Sequence, residues 1–303
     1  MQANPNVGVI GVGAMGMQVA KRLLECGFPT FVRDVRPEAE DEARAAGAVV
    51  CASPAEMGRA CRFVITLVVD AAQTSEVIVG RNGALETLAP GSVVIMSSTI
   101  QPAAAQALAE PLAARRVHFL DAPCSGGPAK ARAGTMSMML AGAGAAFGSA
   151  APVLEAISGT RVRIGEQPGD GSKAKIVNNM LAGVNLAAAC EAMALAIKLQ
   201  LDPHTMFEVI AASSGGSWMF SDRMPRMLAG DYAPRAAVEI LRKDLAILLE
   251  TARSERFPAV VARAAHTLYE DAARLGYGHE DDVALMKVYR TLSGIRLPGD
   301  SDP

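Results

Sequence analysis

Aromatic residues are scarce, at 4% of 303. That leaves little for the stacking platforms that hold single-stranded nucleic acid. Neither sign of charge dominates: 29 lysines and arginines stand against 31 aspartates and glutamates, a formal net charge of −2. Phosphate-backbone binders usually carry a strongly basic face, so no nucleic-acid partner is expected. Cysteines are few (Cys26, Cys51, Cys61, Cys124 and Cys190), odd in number and without a CxxC pair. This suits reduced thiols better than a disulfide framework. The histidines, His118, His204, His266 and His279, form no HxxxH or HExxH pattern, so no metal is expected. No signal peptide is visible, since the polar MQANPN opening passes straight into a short apolar run, and a cytoplasmic location is expected. The longest apolar stretch, Leu181–Leu199, is interrupted by Asn185, Glu191 and Lys198. It reads as a buried helix, not a membrane span.

What is present is half hydrophobic, enough for a sizeable core without disulfides or metal. The length allows two domains of roughly 150 residues. In the first half, apolar runs at Val7–Ile10, Thr30–Arg33, Arg62–Val68, Val93–Met96 and Val117–Leu120 alternate with helical stretches near Met15–Cys26, Pro37–Ala46, Gln73–Val79 and Pro102–Ala114. Strands alternating with helices predict βαβ units and a mostly parallel sheet. Parallel strands are buried on both faces, which explains their continuous apolar runs. After about residue 165 the pattern is helical only. Gly169–Gln200 reads as one helix of about 30 residues, roughly 45 Å long. It is followed by Pro203–Ala212, Ala236–Arg253, Pro258–Arg274 and Asp281–Arg290. The expected domains are therefore 1–165, α/β, and 166–303, all-helical, joined by the long helix. The apolar helical part would bury more surface on self-association, so a homodimer or homotetramer is expected.

Four motifs carry chemistry. Gly11-Val12-Gly13-Ala14-Met15-Gly16 follows a strand and opens a helix, the context of a dinucleotide site in a doubly wound, Rossmann-type domain. The first glycine permits the turn, the second lets backbone approach a pyrophosphate, and the third lets helix and strand pack closely. A structural glycine turn is the alternative. Asp34, after the second strand, is placed to accept from a ribose hydroxyl and favours NAD. Arg33 and Arg36 beside it leave NADP open. The second motif is Asp121-Ala122-Pro123-Cys124-Ser125-Gly126-Gly127, at the carboxyl end of a strand. Its hydroxyl and glycine-freed N–H groups can cradle a small anion, or it is simply a tight turn. In the third, Gly169-Asp170-Gly171-Ser172-Lys173-Ala174-Lys175-Ile176-Val177-Asn178-Asn179, Lys175 and Asn179 share a helical face. A buried lysine beside a bound nicotinamide suits proton transfer at an alcohol, and a solvated surface lysine is the alternative. The fourth is Lys243-Asp244, either a site pair or a surface charge pair. Ser217-Trp218-Met219-Phe220 reads as cleft lining or core.

Together, in this order and spacing, the motifs resemble the β-hydroxyacid dehydrogenase family, which includes 3-hydroxyisobutyrate dehydrogenase and tartronate semialdehyde reductase. The resemblance covers essentially the whole chain. It implies an oxidoreductase that moves a hydride between NAD and a small hydroxy acid, with Lys175 as general acid/base. It also implies cofactor contacts at Gly11, Val12, Gly13, Ala14, Met15, Gly16, Asp34, Val68, Thr99 and Lys243. Ser125, Gly126, Gly127, Asn178, Asn179 and Asp244 are implied at the substrate. Gly216–Phe220, Gly230–Val238 and Lys243-Asp244-Leu245 look most like the branch that oxidises L-threonate at C2. The 3-hydroxyisobutyrate and tartronate semialdehyde activities are the alternatives. Cys124 stands where the family usually has valine, and Asn178-Asn179 is closer to the hydroxyisobutyrate pattern. Imine reductases share the plan but usually lack a lysine here, so Lys175 argues against them.

Overall fold

The structure, a computed structural model, describes residues 4–300. The chain divides into two compact units, Met1–Lys175 and Ile176–Pro303.

The first unit is built on a nine-stranded sheet. Its strands are β1 (Val7–Ile10), β2 (Thr30–Arg33), β3 (Val49–Val50), β4 (Phe63–Thr66), β5 (Val93–Met96), β6 (His118–Asp121), β7 (Cys124–Ser125), β8 (Met136–Ala141) and β9 (Ser158–Gly165). The spatial order is β3-β2-β1-β4-β5-β6-β8-β7, with β9 on β8. β1 to β6 pair in parallel. The helices are α1 (Ala14–Glu25), α2 (Pro37–Ala45), α3 (Pro54–Ala60), α4 (Ala71–Val79), α5 (Pro102–Ala114), α6 (Gly127–Ala133) and α7 (Gly144–Ile157). The order reverses beside β1, so the crevice between β1 and β4 lies at a topological switch point.

The continuous apolar strands follow from this layering. In β5, Val93 and Ile95 enter one core with Val19, Leu23 and Val153. Val94 and Met96 enter the other with Ile78, Leu108 and Leu112. A period-two side-chain alternation inside an unbroken apolar run is what a strand covered on both faces requires.

The expectation of a mostly parallel sheet needs an addition at one side. β8 runs antiparallel to β6 and β7 and parallel to β9. Among the described residues β9 pairs only with β8, and from Gly159 to Ile164 its residues are exposed.

The border between the units falls inside α8 (Asp170–Lys198), a single helix of 29 residues. By length and composition α8 would pass as a membrane span, with an apolar window of mean hydropathy 1.8. A core helix passes the same test, and Leu186, Cys190 and Met193 are fully buried in the second unit's core. The second unit continues with α9 (Pro203–Ala211), α10 (Trp218–Leu228), α11 (Val238–Ser254), α12 (Val260–Arg274) and α13 (Met286–Ser293). All of its described elements are helical. α10 is an addition to the sequence expectation. Ser217 caps it by accepting from the Phe220 N–H at 3.0 Å.

Candidate active site

Of the residues expected at the cofactor, those of the first unit gather along one edge of the sheet, and Lys243 lies on α11 of the second unit. Gly11 follows β1, Asp34 follows β2, and Val68 and Thr99 lie just beyond β4 and β5. These are carboxyl ends of adjacent parallel strands, where open α/β sheets bind ligands. Gly11 has φ +89°, and a β-carbon there would lie 2.6 Å from the Leu67 carbonyl oxygen. At Gly16 a β-carbon would lie 1.9 Å from the Gly11 carbonyl oxygen. At Gly13, by contrast, the nearest atom would be an Arg36 nitrogen at 3.7 Å, so that flank of the loop is open. Gly13 caps α1 without a side-chain hydrogen bond, and the first turn, from Ala14 and Met15, has no acidic residue. An uncapped, uncountered helix start suits a pyrophosphate. The geometry thus fits a dinucleotide.

Asp34 is fixed to this loop. One carboxylate oxygen accepts from the Val12 N–H at 2.8 Å, and the other accepts from the Arg36 N–H at 3.0 Å and its Nε at 3.2 Å. Arg33 pairs instead with Glu40 at 2.6 Å. The Val68 N–H donates to Ser98 Oγ at 3.0 Å, and Thr99 is half-buried.

Lys175 is 8% exposed, so it is not a solvated surface lysine. Its Nζ donates to the Cys124 carbonyl oxygen at 2.6 Å. β7 ends at Ser125, and the chain turns through Gly126 (φ +128°) and Gly127 (φ +74°). A β-carbon at Gly127 would meet nothing within 4 Å. This is open backbone beside a hydroxyl, next to the residue that holds the amine. Burial pushes the Cys124 thiol up, against the pull of the Lys175 charge, which keeps the sulfur a protonated, valine-like filler.

In the second unit Asp244 is the hub of a small network. It is 3% exposed. One oxygen accepts from Asn179 Nδ2 at 2.6 Å and the other from Lys243 Nζ at 2.7 Å. Asn178 Nδ2 donates to Asn179 Oδ1 at 3.1 Å. The pair is therefore buried on its acidic side and is no ordinary surface ion pair. The Ser217–Phe220 segment divides. Trp218 is 52% exposed, whereas Phe220 is buried and stacks on Phe207 at 5.6 Å.

A second buried charge network has no counterpart in the sequence reading. Arg223 forks onto Asp282 at 2.7 and 3.1 Å, and Arg226 pairs with Asp281 at 2.5 Å. The only sequence signal was Asp281 as a helix-start residue. It does accept from the Val283 N–H, at 3.4 Å. Burial pushes the Asp282 carboxyl up to about 7, against the pull of Arg223. An unfolded aspartate titrates near ~3.9. A raised folded value gives stability that is full below the unfolded value and is lost as pH rises through about 7. Between about pH 5.5 and about pH 8 the melting temperature of the protein is expected to fall relative to that of Asp282→Asn. A difference between the two that stays constant with pH would contradict this.

Residues 6–165 match the NAD binding domain of 6-phosphogluconate dehydrogenase. Residues 169–289 match the family described as NAD-binding of NADP-dependent 3-hydroxyisobutyrate dehydrogenase. The chain is 48% identical to the L-threonate dehydrogenase of Cupriavidus necator, covering 98% of this chain and 99% of that one. It is 42% identical to the L-threonate dehydrogenase of Escherichia coli K12, covering 97% of each. Among solved structures, 3-hydroxyisobutyrate dehydrogenase from Salmonella typhimurium superposes with a TM-score of 0.88 at 42% identity, covering 94% of this chain and 100% of that one.

Proposed function

Because the chain belongs to the β-hydroxyacid dehydrogenase family, oxidoreductases built on an NAD-binding domain, we propose that it oxidises L-threonate at C2 to 2-dehydro-L-erythronate, with Lys175 as general acid/base. The observation that carries this reading is the buried Lys175 amine, held on the Cys124 carbonyl next to the Ser125–Gly127 turn. The choice of L-threonate is supported by the names of the relatives at 48% and 42% identity.

The bound dinucleotide supplies the hydride acceptor. Gly11, Val12, Gly13, Ala14, Met15 and Gly16 would hold its pyrophosphate, Asp34 its ribose, and Val68, Thr99 and Lys243 the remainder. Asp34 supports NAD over NADP, since a carboxylate repels a 2′-phosphate. Ser125, Gly126 and Gly127 would hold the substrate carboxylate. Asn178 and Asn179 are assigned to its oxygens, and Asp244 to the same substrate group. Asp244 acts there by fixing Asn179 and Lys243, which its two oxygens hold. Lys175 takes the hydroxyl proton as the alcohol becomes a ketone, and its ammonium returns that proton in the reverse direction. Residues 1–165 are assigned to cofactor binding, and 166–303 to substrate binding and self-association.

Self-association as a homodimer or homotetramer is supported by Val177, Leu181, Leu195 and Leu199, large apolar residues exposed on or just beyond α8. Equilibrium sedimentation distinguishes these states from a monomer. A cytoplasmic location is supported by the free thiols of Cys26, Cys51, Cys61, Cys124 and Cys190.

The test is reduction of NAD+ and NADP+ by the purified protein with L-threonate, D-threonate, 3-hydroxyisobutyrate and glycerate. The highest kcat/KM is expected for L-threonate with NAD+. A preference for 3-hydroxyisobutyrate or glycerate would replace the substrate but keep the chemistry. No turnover of any of them would sink the reading.

A further inference from the structure

Asp121, the last residue of β6, is fully buried, and the carboxylate faces the start of α8. One oxygen accepts from the Gly169 N–H and the Ser172 N–H, both at 2.9 Å. The other accepts from Ser172 Oγ at 2.8 Å. The first N–H groups of a helix have no partner inside it, and a carboxylate at that end also opposes the positive end of the helix dipole. Here the carboxylate comes from a strand 48 or more residues earlier in the chain.

The contact is close. Gly169 has φ +95°. A β-carbon on Gly171 would come within 2.5 Å of the Asp121 carbonyl oxygen and 2.9 Å of the Met139 carbonyl oxygen. The first turn of α8 thus rests directly on the end of β6 and on β8. Both Asp121 bonds to Ser172 are made one turn before Lys175. Three residues beyond Asp121 along the chain, the Cys124 carbonyl receives the Lys175 amine. The short segment Asp121–Cys124 therefore grips the same helix twice, at its start and at the amine.

We propose that Asp121 is a positioning residue for Lys175: by clamping the first turn of α8 to the end of β6, it sets where the amine sits. It is assigned no contact with substrate or cofactor, and its hydrogen bonds to Gly169 and Ser172 do most of the holding. This rests on the reading of Lys175 as acid/base. Removing the clamp frees the helix start, and small displacements of a catalytic group are costly to rate.

Asp121→Ala is expected to lower kcat about 30-fold while leaving NAD+ affinity within about twofold, because the Gly11–Gly16 loop is not attached to Asp121. The limb of the kcat–pH profile that belongs to the acid/base is expected to move by about half a pH unit or more. Asp121→Asn is expected to restore most of the rate and the limb. An amide oxygen can accept both N–H groups, and its NH2 can donate to Ser172 Oγ. A folded Asp121→Ala protein with normal kcat and an unmoved limb would overturn the proposal, as would an Asn variant no better than Ala. If Asp121→Ala does not fold, Ser172→Ala decides, since it removes one bond and keeps the rest. A loss of about threefold in kcat with a shifted limb supports the clamp, and an unchanged protein overturns it. Lys175→Ala is run alongside. If that variant keeps its turnover, the acid/base reading fails and takes this proposal with it. If it loses turnover while folded Asp121→Ala does not, only the clamp fails.

Discussion

Lys175→Ala is expected to lower kcat by about 10³-fold, near 4 kcal/mol of barrier, with NAD+ binding retained within about twofold. The amine is buried and donates to a backbone carbonyl, that of Cys124. Deleting it removes the proton acceptor from the site and leaves the cofactor loop untouched, since no hydrogen bond described for Gly11–Gly16 or Asp34 involves it. The Cys124 carbonyl loses a donor, which costs about 1–3 kcal/mol of stability and lowers the melting temperature by a few degrees at most for a chain this long. Steady-state kinetics with calorimetric titration of NAD+ separates the effects. A variant that keeps near-normal turnover would show that some other group moves the proton.

Gly16→Ala is expected to be the most damaging change at the cofactor end. The added methyl would sit 1.9 Å from the Gly11 carbonyl oxygen, inside any real contact distance. The Gly11 oxygen is a backbone atom and a β-carbon is fixed rigidly to its own backbone, so no side chain can rotate away. The first turn of α1 must lift from β1, at a cost of about 1–3 kcal/mol in overpacking. The loop that presents its N–H groups to a pyrophosphate is distorted with it, and NAD+ affinity is expected to fall about 100-fold, near 2.7 kcal/mol. Gly13→Ala is the internal contrast. Its methyl would have 3.7 Å to the nearest atom, so the fold should tolerate it. Equal thermal losses in the two variants would refute this assignment of roles within the loop.

Much of this was legible in the sequence because it is local. β1, β2 and β5 fall where the apolar runs lie, and β4 falls within its run. The GxGxxG loop and the acidic Asp34, distant by about 20 residues, are joined through the Val12 N–H. Because i and i+4 share a helical face, Lys175 and Asn179 fall on one side of α8. The unread parts depend on distant partners. β7 has only two residues, too short to register as a pattern. β8 reads MSMMLA, rich in helix formers, and is a strand because β6, β7 and β9 bind it. The burial of Asp244, Asp281 and Asp282 could not be foreseen either. A buried acid looks like a surface one until Asn179, Arg226 or Arg223 is found opposite it. The same holds for Asp121, whose donors lie far along the chain.

The outermost strand beyond β8 has a consequence of its own. A sheet that stops at an open rim offers unused amide and carbonyl groups to any passing extended peptide. On β9, Arg161 and Arg163 alternate with Val162 and Ile164. The Arg161 guanidinium folds back onto the Ser158 carbonyl, and that of Arg163 lies over the Phe147 ring and pairs with Glu166. Two arginines along one rim disfavour a second identical rim brought alongside, which guards the strand against fibrous aggregation although Val162 and Ile164 are exposed on it.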